Sequence, residues 1–145
     1  MSQASVAAVC ANYLDAWARR DVAGILALHH PDSTFRLHAI GEEEAAGSAA
    51  VRTAFDAVFQ TWPDLSFSTV RLQYGDDFFV HEMDVRGTSL ELTDPAGARR
   101  TSAEPVHYDM VDVIQIRDGL VYRKDTYVDA LAIMFATKEL GGART

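Results

Sequence analysis

The chain has 145 residues, 48% of them hydrophobic and 23% charged, which is the balance of one domain with a full core and not of a disordered tail. Thirteen Lys and Arg stand against 21 Asp and Glu, for a formal net charge of -8, and no basic stripe is present to neutralise successive phosphates, so no nucleic-acid partner is expected. No apolar run approaches the roughly 20 residues of a membrane span. The start MSQASVAAVC lacks the basic residues and cleavage pattern of a signal peptide, and the single Cys10 cannot form an internal disulfide. The expectation is therefore a cytoplasmic protein with no membrane attachment.

Val6, Val9, Cys10, Tyr13, Leu14 and Trp17 recur at spacings of three and four, which predicts a helix from about Ser5 to Arg19 with one apolar face. Asp21 stands where an N-cap belongs, ahead of a short second helix carrying Ile25, Leu26 and Leu28 and stopped by Pro31. His29 and His30 then fall at a helix end, as partners of its dipole. A short strand over 33–38 and the loop AIGEEEAAG lead to a third helix, capped by Ser48, with Val51, Phe55, Val58, Phe59 and Trp62 on one side and Pro63 closing it.

Beyond Pro63 the period changes. Segments 65–74, 78–88, 106–116 and 120–128 are rich in β-branched and aromatic residues, with turn signals at Gly75-Asp76-Asp77 and Asp118-Gly119, and they predict long antiparallel hairpins. Segment 92–105 has Pro, Gly and the charges of Arg99 and Arg100 but no period, so it reads as a mobile hairpin loop. ALAIMFATKEL reads as a closing helix with Leu131, Ile133 and Met134 inward, before a frayed GGART tail. The sum is an α+β chain, a single domain over 1–145. Three N-terminal helices pack in a strongly curved antiparallel sheet that forms a cone with an internal cavity, and a short helix ends the chain.

YLDAWARRDVAGILALHHPDSTF, TWPDLSF, DVRGTS and VDVIQIRDGLVYRKDTYVD resemble, in order, segments of the SnoaL-like polyketide cyclases of the nuclear transport factor two-like superfamily, which includes ketosteroid isomerases and limonene epoxide hydrolase. The family's Trp-Pro-Asp-Leu falls on Trp62, Pro63, Asp64 and Leu65, its Arg-Gly-Thr on Arg86, Gly87 and Thr88, and its final Asp on Asp129. The resemblance implies the cone, a hydrophobic small-molecule ligand and chemistry without a cofactor. The cyclases carry their acid/base Asp on the last strand, and that position is Thr126 here. In the register of the epoxide hydrolase, the central-strand Arg and Asp fall on Glu82 and Asp84.

Strand alternation groups Glu82, Asp84 and Arg86 on one face, Tyr108, Met110 and Asp112 on another, and Tyr122, Lys124 and Thr126 on a third. The resemblance implies that all three faces line the cavity. Charges placed mid-strand beside apolar neighbours need partners, so Asp84, Lys124 and Asp112 are the candidate catalytic residues. Asp84 reads either as an ion pair with Lys124 or as a base that exchanges a proton with an acidic carbon. Asp112 reads as a pocket-floor group bonded to Tyr122 or Lys124. His38, Glu82, Tyr108, Tyr122, Thr126, Trp62 and Phe59 are the candidate substrate-binding residues, His38 at the rim. His81 and His107 fall on the opposite face, where Phe79, Met83 and Val85, with Val111 and Val113, form an apolar strip that predicts a homodimer.

No metal site is expected, because no His, Asp or Glu set has ligand spacing. Nucleophile-elbow, phosphate-loop and dinucleotide motifs are absent. Three functions follow as expectations: proton transfer in an isomerisation or cyclisation of a polyketide, terpenoid or steroid-like substrate; ligand binding or scaffolding without turnover; and epoxide hydrolysis.

Overall fold

The computed structural model describes residues 2–39, 42–89, 91–94, 96–102 and 104–140. The expected GGART tail lies outside them. Helix α1 (Gln3–Ala18) starts on Ser2, whose side chain accepts from the Ser5 N–H, and it buries Val6, Cys10, Tyr13 and Ala16. Helix α2 (Val22–Ala27) is capped by the Asp21 carboxylate on Gly24 N–H. Strand β1 (His29–His38) begins directly after it, so His29 and His30 are strand residues and not helix-dipole partners. After the short β2 (Ala45–Ala46) comes α3 (Ser48–Thr61). Gly47, at φ 86, takes the N-cap position that Ser48 was expected to fill, because only glycine adopts that backbone without strain. The expected trio of helices is thus one long helix, one of six residues and, beyond two strands, a second long one.

Strands β3 (Ser66–Tyr74), β4 (Phe78–Gly87), β7 (Val106–Arg117) and β8 (Leu120–Val128) follow the β-branched pattern closely. The β7–β8 turn uses Asp118 and Gly119, both at positive φ, the backbone a two-residue hairpin turn needs to match strand twist. Six strands form one sheet in the order β2-β1-β8-β7-β4-β3. It is mixed and not purely antiparallel, since β1 runs parallel to β8. The four helices and curved sheet make an α+β fold. One core cluster packs α1, α2 and α3 through Tyr13, Ile25, Val51 and Phe55 against Phe79, Ile114 and Val121, each large apolar side chain contributing about 1.5–3 kcal/mol of burial. A second gathers Trp62, Met83, Val85, Val106 and Tyr108.

Segment 92–105, expected as a mobile hairpin loop without a period, carries two short strands among its described residues. It forms β5 (Leu92–Thr93) and β6 (Arg99–Thr101), and β6 pairs in turn with β9 (Lys138–Glu139). Asp94 closes the β5–β6 turn by accepting from Ala96 and Ala98 N–H. Arg100, whose charge was part of the expectation of a mobile loop, is largely enclosed: Nε donates to Thr137 Oγ1 at 2.9 Å, and Nη2 donates to the Met134 and Thr137 carbonyls. These bonds tie β6 to the end of α4 (Ala130–Ala136). Of the α4 residues expected inward, Ile133 and Met134 are half-buried, whereas Leu131 is 68% exposed.

Candidate functional site

Register decides which side chains meet. On β4 and β7, Phe79 pairs with Ile114, His81 with Asp112, Met83 with Met110 and Val85 with Tyr108, so odd positions of β4 share a face with even positions of β7. That shared face is the inner one, because Phe79, His81, Met83 and Val85 are all buried. Glu82, Asp84 and Arg86 therefore point outward, which corrects their expected place in the cavity. Asp84 pairs with His107 on the outer face, and Glu82 pairs with Arg71 at 3.1 Å. Asp84 and Lys124 do not face each other. The same correction moves His81 from the outer face to the inner wall and removes Phe79, Met83 and Val85 from the expected dimer strip.

On β8 a bulge changes the alternation. Gln115 pairs with Arg123 but Ile116 pairs with Val121, which leaves Tyr122 as the extra residue. Val121, Lys124, Thr126 and Val128 thus face inward, opposite Ile116, Ile114, Asp112 and Met110. Tyr122 is turned away, its ring under the Arg117 guanidinium at 3.7 Å and edge-on to His30. His38 is also outside: Nε2 lies 2.7 Å from Asp125 Oδ1, and the ring stacks on Tyr127 at 4.0 Å. Burial raises the Asp125 carboxyl, but the His38 and Arg123 hydrogen bonds outweigh it and leave the group below its ordinary value.

Between the sheet, α1, α3 and α4 lies a pocket of about 820 Å³. Its walls are largely apolar, with Leu14, Trp17, Phe35, Leu37, Val58 and Trp62 on one side and Met83, Val85, Tyr108, Met110, Val128 and Ile133 on the other. Phe59 packs on Trp17 at 5.3 Å and is not among the wall residues. Tyr108 is buried beside Trp62, ring centroids 5.6 Å apart, and burial pushes its phenol above the ordinary value. Glu42, Thr61, Thr93 and Asp94 add polar groups to the lining, and a buried polar cluster stands on the central strands. Lys124 Nζ donates to Asp112 Oδ2 at 2.6 Å, and Thr126 Oγ1 donates to Asp112 Oδ1 at 2.5 Å. All three line the pocket, and all three are buried. The Lys124 ammonium also lies over the Trp17 and Tyr13 rings, at 4.9 and 5.4 Å, whose π faces attract a cation.

His81 completes the cluster and is the residue that sequence reasoning missed. It lines the pocket with no solvent exposure. Nε2 is hydrogen-bonded to Thr69 Oγ1 at 2.8 Å, and Nδ1 has no hydrogen-bond partner among the described residues. Burial holds the imidazole below its ordinary pKa; nearby Asp112 opposes that shift and Lys124 adds to it. The signal was in β4 itself, where Phe79, Met83 and Val85 make the odd face the more apolar one. Behind the cluster, His29 is buried between Tyr13 Oη, 2.8 Å from Nε2, and Ser33 Oγ, 3.0 Å from Nδ1. Its pKa is lowered to about 3, by burial first and by Lys124 second.

The motif residues are largely structural. Asp64 Oδ1 accepts from Thr88 N–H at 2.7 Å, which joins the Trp-Pro-Asp-Leu corner to the end of β4. A Cβ on Gly87 would stand 3.1 Å from the Trp62 ring, so the corner closes best on glycine. Asp129 caps α4 by accepting from Ala132 N–H. Among the described residues no group of three metal-ligating side chains occurs, and no helix is long and apolar enough to cross a membrane.

A pocket between helices and a curved mixed sheet, with polar groups gathered on the central strands, is the architecture of nuclear transport factor two-like proteins. The sequence matches the model of the SnoaL-like domain over residues 10–124, and the chain belongs to that family. AclR from Streptomyces galilaeus is similar in structure, with a TM-score of 0.74, 20% identity, and 92% of this chain and 96% of that one covered. TsrD from Streptomyces laurentii gives a TM-score of 0.69 at 22% identity over 94% and 96% of the two chains. A nuclear transport factor two-like protein from Burkholderia xenovorans gives 0.71 at 17% identity over 95% and 99%. At these identities the likeness is one of fold. No curated protein matches the sequence.

Proposed function

We propose that the protein is a cofactor-independent enzyme that moves a proton within a hydrophobic polyketide, terpenoid or steroid-like substrate, in an isomerisation or cyclisation. The observation that carries this reading is the Asp112–Lys124–Thr126 cluster, a buried charged group in a largely apolar pocket. A buried ion pair with one carboxylate and one ammonium is neutral as a unit, so the pocket accepts a neutral ligand. Lys124 gives one N–H to Asp112 and keeps further donors for an oxygen of that ligand. A carbonyl bound there is polarised, and the negative charge that develops on its oxygen meets a donor already in place.

The second reading is ligand binding without turnover. It is favoured by Thr126 standing where the cyclases have their Asp, and by Asp112 having both oxygens engaged, which makes it a poor base. Epoxide hydrolysis rested on Glu82 and Asp84, both outside the pocket, and is not carried further.

Native mass spectrometry of the purified protein, followed by incubation of any retained ligand in D2O, separates the first two. Deuterium uptake or isomerisation of the ligand supports the enzyme, and a ligand returned unchanged supports binding.

We also propose a homodimer, now through the outer-face residues Phe78, Val80, Val111, Val113 and Tyr127, of which Phe78 and Tyr127 are exposed. Apolar side chains in this density on one sheet face mark interfaces. Sedimentation should show twice the chain mass at micromolar concentration, and a monomer there overturns the proposal.

A further inference from the structure

We infer that His81 is the group that carries the proton, and that its free Nδ1 is the base of the reaction proposed above, an inference that rests on that reading. Three observations converge. First, His81 is the direct cross-strand partner of Asp112, so the imidazole and the carboxylate leave the sheet on the same face, within about 5.5 Å at their Cβ atoms. Second, Nε2 is occupied by Thr69 Oγ1 on β3 while Nδ1 is buried and unpartnered among the described residues. A buried polar atom left unsatisfied costs about 1–3 kcal/mol; Nδ1 has no surface open to the pocket, so a ligand supplies the partner and regains that cost by turning the imidazole until Nδ1 meets it. Third, Asp112 is consumed by Lys124 and Thr126, so the carboxylate is not the available base, whereas a neutral imidazole is. Burial and Lys124 favour that neutral form.

Thr69 Oγ1, a hydroxyl, can accept from Nε2–H or donate to a bare Nε2; a base at Nδ1 requires the first arrangement, with Nε2–H donating to Thr69 Oγ1 and Nδ1 carrying the lone pair. His81 Nδ1 takes a proton from a carbon next to the substrate carbonyl. The C–H electron pair forms the new C=C bond, and the carbonyl π pair moves to oxygen, where a Lys124 N–H holds the enolate. Where the substrate has a C=C one carbon further on, the enolate is a dienolate: the imidazolium, stabilised by the Asp112 charge, returns the proton to its far carbon as the oxygen pair re-forms the carbonyl, and His81 is neutral again. Atoms and electrons balance without a co-reactant. Asp112 serves as a positioning residue, holding Lys124 and offsetting the transient charge on His81.

The probe is 2-tetralone, a bicyclic ketone with acidic hydrogens next to its carbonyl, followed by NMR as it exchanges them in D2O. His81→Gln keeps a polar group toward Thr69 but has no basic nitrogen. Wild-type protein should accelerate exchange over buffer, His81→Gln should lose about 100-fold or more of that acceleration, and tetralone affinity should hold. Exchange in His81→Gln at the wild-type rate overturns the role of His81 and leaves the proton-transfer reading standing. Wild-type protein that binds tetralone and exchanges it no faster than buffer overturns both. A measurement that needs no variant keeps the inference testable if His81→Gln fails to fold. The 15N shifts of His81 in the wild-type protein should show a protonated Nε2 and a bare Nδ1, and a protonated Nδ1 at neutral pH overturns it.

Discussion

The two faces of strands β4, β7 and β8 carry similar charges under opposite conditions. Outside, Asp84 meets His107, Glu82 meets Arg71, and Asp125 meets His38 and Arg123. Most of these side chains reach water, and exposed pairs of this kind are worth little because solvent already satisfies each member. Inside, Asp112 and Lys124 have about 5% of their side-chain surface exposed, and in place of water they have each other, the Thr126 hydroxyl on Asp112 and the Trp17 and Tyr13 rings on Lys124. A charge pair is therefore informative about function only after its exposure is known. The inner pair is retained in a place where hydrocarbon would pack at least as well, and the outer pairs need no such explanation.

The comparison is broken most directly by removing one inner partner. Lys124→Met strands the Asp112 carboxylate and should cost about 3–5 kcal/mol of stability. Adding Asp112→Asn should recover much of that, because it removes the orphaned charge. Urea denaturation of the single and double variants at pH 7 measures both, and a loss below about 1 kcal/mol for Lys124→Met would place the inner pair with the outer ones.

A second test is acid. His29 is buried neutral with its pKa lowered to about 3, while the unfolded chain protonates it near its ordinary value of about 6.5. The unfolded state then binds the extra proton between those values. The stability His29 contributes is complete above pH 6.5 and is lost as pH falls towards 3, by up to about 5 kcal/mol. His29→Gln should flatten the dependence in that window when melting is followed between pH 7 and pH 4. An unchanged slope would show that His29 is not the group responsible. The smallest effect belongs to the outer face: Asp84→Asn should change stability by no more than about 0.5 kcal/mol and leave tetralone exchange at the wild-type rate. A large loss of exchange in that variant would return the chemistry to the position that sequence alone favoured.

What was legible in the sequence follows the same division. Strand ends came within a residue or two for β3, β4, β7 and β8 because Val, Ile, Phe and Tyr cluster there between strong turn signals. Asp112, Lys124 and Thr126 were placed on the inner face because β7 and β8 alternate simply on the pocket side of the bulge. On β4 two alternating sets competed, one charged (Glu82, Asp84, Arg86) and one apolar (Phe79, Met83, Val85). The carboxylates drew attention away from the apolar set, which has the larger burial energy and took the core side. His81 went with the apolar set and was lost with it. The Tyr122 bulge is invisible to alternation, since one extra residue leaves no compositional trace. Segment 92–105 looked structureless because β5 and β6 are too short to show a period, and they are held by Arg100 and by pairing with β9, some 40 residues further on.

That bulge has a consequence for how the chain tolerates change. Below it, Val121 is fixed to the helical layer through its N–H to the Leu28 carbonyl. Above it, Lys124 and Thr126 are fixed in parallel register beside Phe35 and Leu37 of β1. The two anchorages differ in phase by one residue, and Tyr122 absorbs the difference. Deleting Tyr122 would make the strand regular and leave Val121 and Lys124 two positions apart, so both would still face inward, whereas losing Arg123 as well would make them neighbours and turn one of them outward. The spare residue works like the slack link in a chain stretched between two posts, letting the turn and the ligand wall vary independently.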